Sequence, residues 1–62
     1  MVEVTMMNGT SKYYLDMTLG EAITVVNFAN AGGASVREAY VDAEKTQSVR
    51  INLRHVMEMK EV

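Results

Sequence analysis

The first sixteen residues alternate between apolar and polar positions in the way that a β-hairpin requires. Val2 and Val4 are separated by polar residues, a period of two that predicts a half-buried strand. Asn8-Gly9 follows and favours a two-residue type I′ turn, because both residues tolerate a positive φ. A two-residue turn at this point sets the register of the two strands and places Val4 opposite Tyr13, so that the apolar residues of both strands share one face.

The next segment has the period of an amphipathic helix and recognisable signals at both ends. Thr18 and Glu21 match a capping box, in which each side chain accepts a hydrogen bond from the backbone of the other. Gly32-Gly33 can supply the left-handed residue that ends a helix. The pattern therefore predicts a helix over 19–31, with an apolar stripe that faces the hairpin and consists of Leu19, Ala22, Ile23, Val26 and Ala29.

The second half of the chain reads as strands again. A third strand is predicted over 35–43, a polar turn over 42–47, and a fourth strand over 48–53 with its odd-numbered residues facing inward. The inward positions continue through Met57 and Met59, which leaves open a single bent strand over 48–62. Such a strand is long for a small protein, so a turn over 52–55 and a fifth strand over 56–62 are preferred.

This order of elements predicts an α+β fold. A single helix packs on a small antiparallel sheet in the order β-β-α-β-β(-β). The alternative is a small curled barrel in which the helix acts as a plug or cap. No proline, low-complexity tract or linker interrupts the chain, so residues 1–62 are expected to form one domain.

The size of the chain favours self-association. A domain of 62 residues has a marginal core, and small domains usually gain stability from disulfides, metals or oligomerisation. The chain has no cysteine and one histidine, so neither a disulfide nor a structural metal site is expected. A homo-oligomer remains, and an unidentified protein partner is a further possibility.

The charge and hydropathy of the chain indicate an ordinary water-exposed protein. The formal net charge is −2, which gives no general attraction to nucleic acid or to anionic membranes. No apolar run approaches the roughly 20 residues that span a bilayer, and no signal peptide opens the chain. The absence of cysteine is compatible with the cytoplasm, so a cytoplasmic location without membrane attachment is expected.

Residues for catalysis are sparse, and we expect neither an enzyme nor a cofactor. A serine nucleophile needs a base that a third group orients, and His55 is the only imidazole in the chain. The carboxylates are scattered, and the Gly32-Gly33 pair follows a helix, whereas phosphate-binding glycines precede one. His55 is therefore interpreted as a structural or interface residue.

Four apolar residues are candidates for an interface. Phe28 falls about half a turn from the apolar stripe of the helix, and Val25 lies on the edge of that stripe. Met57 and Met59 belong to a methionine-rich final strand, where flexible side chains suit core or interface packing. The sequence therefore predicts a non-catalytic module for protein interaction or regulation that associates with itself.

The alternative function is nucleic-acid binding through the outer face of the sheet. Basic side chains that contact phosphates, beside an exposed aromatic that stacks on bases, are typical of proteins that bind single strands on a sheet. The candidates for this role are Lys12, Tyr14, Arg37, Arg50 and Arg54. The acidic net charge argues against this alternative.

The C-terminal stretch VRINLRHVMEMKEV resembles the ending of small uncharacterised proteins of Gram-positive bacteria and their phages, in which a strand ending in Ile-Asn is followed by a turn and a final strand. The segment DMTLGEA, after the Asn8-Gly9 hairpin, is similar to their opening. The resemblance implies a bacterial or phage origin and the same order of elements, but no known activity. The chain departs from that pattern at Arg54-His55, where Asp or Ser is common.

Overall fold

The computed structural model describes residues 1–62 and contains one helix and a five-stranded antiparallel sheet, which confirms the predicted α+β class. The final strand is separate from the fourth, as preferred. No helix is long and apolar enough to cross a bilayer. The elements in chain order are β1 (Val2–Met6), β2 (Lys12–Leu15), α1 (Leu19–Asn30), β3 (Val36–Tyr40), β4 (Ser48–Asn52), a 3₁₀ turn (Leu53–His55) and β5 (Val56–Glu61).

The hairpin has the predicted register but a different loop. Val4 pairs with Tyr13 and the apolar residues share one face. The Met6 N–H donates to the Ser11 carbonyl at 2.9 Å, and the Gly9 N–H donates to the Met6 carbonyl at 2.9 Å. Only Gly9 in this loop has a positive φ, of 79°. The prediction of a type I′ turn is therefore wrong, because that turn requires a positive φ at Asn8 as well.

Both predicted ends of the helix are present. The Glu21 N–H donates to Thr18 Oγ1 at 3.2 Å, and the Thr18 N–H donates to Glu21 Oε1 at 3.0 Å, which completes the capping box. At the other end, the N–H groups of Gly32 and Gly33 donate to the carbonyls of Ala29 and Phe28 at 3.2 and 2.9 Å. This is the Schellman arrangement, and Gly32 takes a φ of 100° that a side chain would disfavour.

The sheet curls strongly because its two edges are joined by a very short connection. The strand order is β4-β3-β2-β1-β5, so β4 and β5 lie on opposite edges and run in the same direction. The edges of a flat sheet of this size lie about 19 Å apart. The four residue steps from Asn52 to Val56 span at most about 14 Å. The sheet must therefore bend to bring its edges together, as in the alternative of a curled barrel.

Two irregularities mark where the sheet bends. β2 and β3 pair only at Tyr14 and Tyr40, whereas the other neighbouring strands pair over four or five positions. In β5 the register to β1 shifts between Thr5 and Met6, so that Met57 is the extra residue of a β-bulge. A bulge increases local twist and bends the strand that carries it.

The core lies between the concave face of the sheet and α1. All elements except β5 contribute buried apolar side chains, and Leu53 of the 3₁₀ turn is only 2% exposed. Ile23 was predicted to face inward but is 44% exposed, while Val25 packs against the core instead. The buried apolar residues are Val2, Val4, Leu15, Ala22, Val26, Ala29, Ala39, Ile51 and Leu53.

Replacing Gly32 by alanine tests the left-handed end of the helix. Gly32→Ala should lower the free energy of unfolding by about 1–2 kcal/mol, because a Cβ is unfavourable at positive φ. Gly20→Ala is the matched control: this helical glycine has no positive φ and a Cβ there contacts only Thr18 Oγ1, at 4.0 Å. It should stabilise the protein by about 0.5–1 kcal/mol. Urea unfolding measures both, and equal effects at the two glycines would contradict the assignment.

Candidate functional site

The five residues predicted to bind nucleic acid divide among three places. Lys12, Tyr14 and Arg50 lie on the outer face, which is the face of the sheet turned away from α1. Arg37 pairs with Ile51 and therefore lies on the helix side, because the register of β3 and β4 puts both in the inward set. Arg54 lies in the 3₁₀ turn. The predicted outer-face position is thus wrong for Arg37 and Arg54.

Glu3 organises the charges at the centre of the outer face. The Tyr14 hydroxyl donates to Glu3 Oε2 at 3.0 Å, and the ammonium groups of Lys60 and Lys12 lie 3.5 and 3.8 Å from Glu3 Oε1. The Tyr14 hydrogen bond, with the two lysines, holds the pKa of Glu3 below its ordinary value, and the same bond raises the pKa of Tyr14. Glu3 carries one negative charge against two lysines, so it offsets part of the positive charge on this part of the face.

Lys45 adds a second ion pair beside the paired tyrosines. Its ammonium group lies 2.5 Å from Asp16 Oδ2 and 5.9 Å from the centre of the Tyr40 ring. The pKa of Asp16 is lowered by this contact. Sequence reasoning missed Lys45, because its position depends on a β3–β4 loop in which it takes a left-handed φ of 61°. The Tyr40 ring therefore already has a cation of the same chain, Lys45, close to it.

Arg54 binds the C-terminal end of α1. Its Nε donates to the Ala29 carbonyl at 2.8 Å and its Nη2 donates to the Gly33 carbonyl at 3.3 Å. The last turn of α1 has no basic residue of its own, and a cation is favourable there because the helix dipole is negative at that end. At the other end, Glu61 Oε1 accepts from the Leu19 N–H at 3.1 Å. The C-terminal segment thus holds both ends of the helix.

His55 opens into a cleft at the hairpin end of the sheet. The cleft has a volume of about 370 Å³ and brings His55 to the same opening as Arg50. No carboxylate lines it, so nothing there matches the third group that orients a catalytic imidazole. No cluster of three or more potential metal ligands is present in residues 1–62. The lining residues are Met6, Met7, Asn8, Ser11, Tyr13, Arg50, Ile51 and His55.

The four predicted interface residues differ in accessibility. Phe28 is 61% exposed and Met57, the bulge residue, is 54% exposed. Val25 and Met59 are half-buried and pack against the core. Met57 was also predicted to face inward, and its exposure shows that this is wrong, because the bulge removes it from the alternation. Further exposed apolar residues, which were not among the predicted interface candidates, are Met7, Ile23, Val36, Val41 and Val62.

The exposed Phe28 is held locally by the end of the helix. A Cβ added to Gly33 would lie 2.1 Å from Phe28 Cε2, so the ring lies directly over this glycine. In a Schellman motif the residues at these two positions commonly make an apolar contact. The sequence signal for this contact is a phenylalanine followed four and five residues later by a pair of glycines. Phe28 therefore has a local packing role even though one side of its ring is open.

Removing the Arg54 side chain tests its role at the helix end. Arg54→Met should lower the free energy of unfolding by about 1–2 kcal/mol, since a charge-assisted hydrogen bond and a dipole interaction are lost. Arg50→Met removes the same charge from the outer face and should change stability by less than about 0.5 kcal/mol. Chemical denaturation compares the two variants. A similar loss in both would show that Arg54 acts only as a surface charge.

The Tyr14 hydroxyl should control the titration of Glu3. Tyr14→Phe removes the hydrogen bond that lowers the pKa of Glu3, so that pKa should rise toward its ordinary value. A lowered carboxyl pKa stabilises the fold above the unfolded-state pKa, and this stability is lost as the pH falls through the folded-state pKa. The variant should therefore lose less stability than wild type between neutral pH and about pH 3. NMR titration of the Glu3 carboxyl and melting curves measure both effects.

Tyr13→Phe is the control for this titration, because Tyr13 lies on the opposite face of the same strand. It should leave the pKa of Glu3 unchanged. An equal shift in both variants would mean that the hydrogen bond does not set the pKa.

Comparison of the chain with models of protein families, with curated proteins and with solved structures finds no match. The resemblance of the hairpin, helix and C-terminal stretch to small bacterial and phage proteins therefore stays a prediction.

Proposed function

We propose that the protein is a non-catalytic interaction module that associates with itself. The observation that carries this proposal is the distribution of large apolar side chains. The largest fully buried side chains are Leu15, Leu53, Val2 and Val4, whereas seven large apolar residues are between 39% and 62% exposed. A single exposed apolar residue is ordinary, but this many on so short a chain favour a partner surface.

The small core supports the same proposal. Two of the three buried helix residues are alanines, Ala22 and Ala29, so α1 contributes little apolar area to the contact with the sheet. No disulfide reinforces the chain. Association buries further apolar surface and stabilises the folded state by mass action. We also propose a cytoplasmic location, for which the absence of cysteine is the support.

Nucleic-acid binding is the weaker alternative because four of the six basic side chains already have partners within the chain. Lys12 and Lys60 lie near Glu3, Lys45 contacts Asp16, and Arg54 binds helix carbonyls. Arg50 lies directly opposite Glu38 in the β3–β4 pair. Phosphate binding would compete with these contacts, and it depends on free positive charge.

Sedimentation equilibrium of the wild-type chain tests self-association. The average mass should rise from that of a 6.9 kDa chain to at least twice that value as the concentration increases from about 1 to about 500 μM. A constant monomer mass across this range would contradict the proposal. A parallel titration with single- and double-stranded DNA and RNA at low salt should show no binding. Salt-sensitive binding there would favour the nucleic-acid alternative instead.

A further inference from the structure

β5 is an edge strand with one unpaired side. The Val62 N–H donates to the Met1 carbonyl at 3.0 Å, in the register that pairs Val2 with Glu61. Backbone N–H and C=O groups alternate in direction along a strand, so those of Glu58 and Lys60 also point toward β1. Met59 and Glu61 therefore direct their N–H and C=O groups to the free edge. Such a row of unpaired groups can template another strand.

The sequence of β5 is complementary to itself in one antiparallel register. When two copies pair about a two-fold axis centred on Met59, Glu58 of each copy lies opposite Lys60 of the other. Val56 then lies opposite Val62. Centring the axis on Glu58 or on Lys60 would instead place like charges directly opposite each other, which is unfavourable. Charge complementarity thus selects the register centred on Met59.

The side chains of this register are placed to meet. Lys60 is 65% exposed, and both Glu58 and Lys60 lie on the outer face, where two such pairs would flank the axis. Lys60 already lies 3.5 Å from Glu3, and an ammonium group has donors enough for a second carboxylate. The bulge at Met57 ends the regular part of the edge, so that only a short segment is available for pairing.

We propose that two copies of this chain pair through β5, antiparallel and centred on Met59, to form one continuous ten-stranded sheet. The inference rests on the proposed self-association and names its surface. Met59 exchanges two backbone hydrogen bonds with Met59 of the second copy. Glu58 and Lys60 of each copy form the two ion pairs beside them. A bulge and a lysine usually protect an edge from pairing; here they limit the pairing to one register.

A charge-reversal series tests this register. Glu58→Lys and Lys60→Glu each place two like-charged pairs at the interface, so each variant alone should associate about tenfold more weakly. Mixing the two variants restores both ion pairs between unlike chains and should restore association as a heterodimer. Mixing changes no contact within a chain, so this rescue cannot come from altered folding. The double variant Glu58→Lys/Lys60→Glu should also associate, because it keeps both ion pairs between the chains. It loses the Lys60–Glu3 contact within each chain.

Glu38→Lys is the matched control, since it makes the same charge change on β3, three strands away from β5. It should leave association unchanged. Sedimentation equilibrium measures each variant and the equimolar mixture, with melting curves to show that each is folded. If wild type and both single variants associate equally, the β5 pairing is overturned while self-association stands. If wild type is a monomer, both proposals are overturned.

Amide hydrogen exchange on the wild-type chain tests the pairing without any substitution. The amides of Glu58 and Lys60, which face β1, should be protected at low and high concentration alike. The amide of Met59, which faces the free edge, should become protected only at concentrations where the protein associates. An unprotected Met59 amide in the associated protein would overturn the pairing through β5.

Discussion

The fold depends on three residues that connect opposite edges of the sheet. Leu53–His55 must carry the chain from the end of β4 to the start of β5, which runs in the same direction on the other edge. A flat sheet would not permit this connection, so its length dictates the curvature. The curvature in turn makes a concave face that holds one helix and little else. Leu53 lies at the point where this connection meets the helix and is nearly fully buried.

The same C-terminal segment also fixes the helix. Arg54 satisfies carbonyls at one end of α1, and Glu61 accepts from a backbone N–H at the other. Both charges have the sign that the helix dipole favours, so each contact is electrostatic as well as directional. These polar contacts to β5 and to the turn before it orient α1, together with the apolar packing of its buried face.

Local sequence signals predicted the elements, but not the features that depend on the curl. The hairpin register, the capping box and the inward set of β4 follow from spacing and from short-range hydrogen bonds. The prediction of a type I′ turn was wrong because the Asn8 side chain accepts hydrogen bonds from the backbone N–H groups of Thr10 and Ser11, which stabilises a longer loop. Propensity alone does not decide between such loops, because both keep the same register.

The candidate site was less predictable than the fold. Arg37 and Arg54 were placed on the outer face from their charge, yet one lies on the helix side and the other binds helix carbonyls. Side chains alternate between the two faces along a strand, so a shift of one residue in the predicted register moves a side chain to the opposite face. Met57 does not face inward, because the bulge inserts one residue into β5 and interrupts the alternation of faces. The exposure of Met57 therefore becomes visible only once the register of β5 is known.

Charge pairing within the chain bears on how its surfaces can be used. Glu3 and Asp16 offset two of the three lysine charges in these ion pairs, so that most of the positive charge there is already paired within the chain. Glu58 forms no ion pair within the chain, and it stands at the edge where a second chain can approach. Exposed charges of this kind are screened by salt and add little affinity, but they discriminate between registers. Affinity would have to come from backbone hydrogen bonds and apolar burial, while the charges determine which alignment forms.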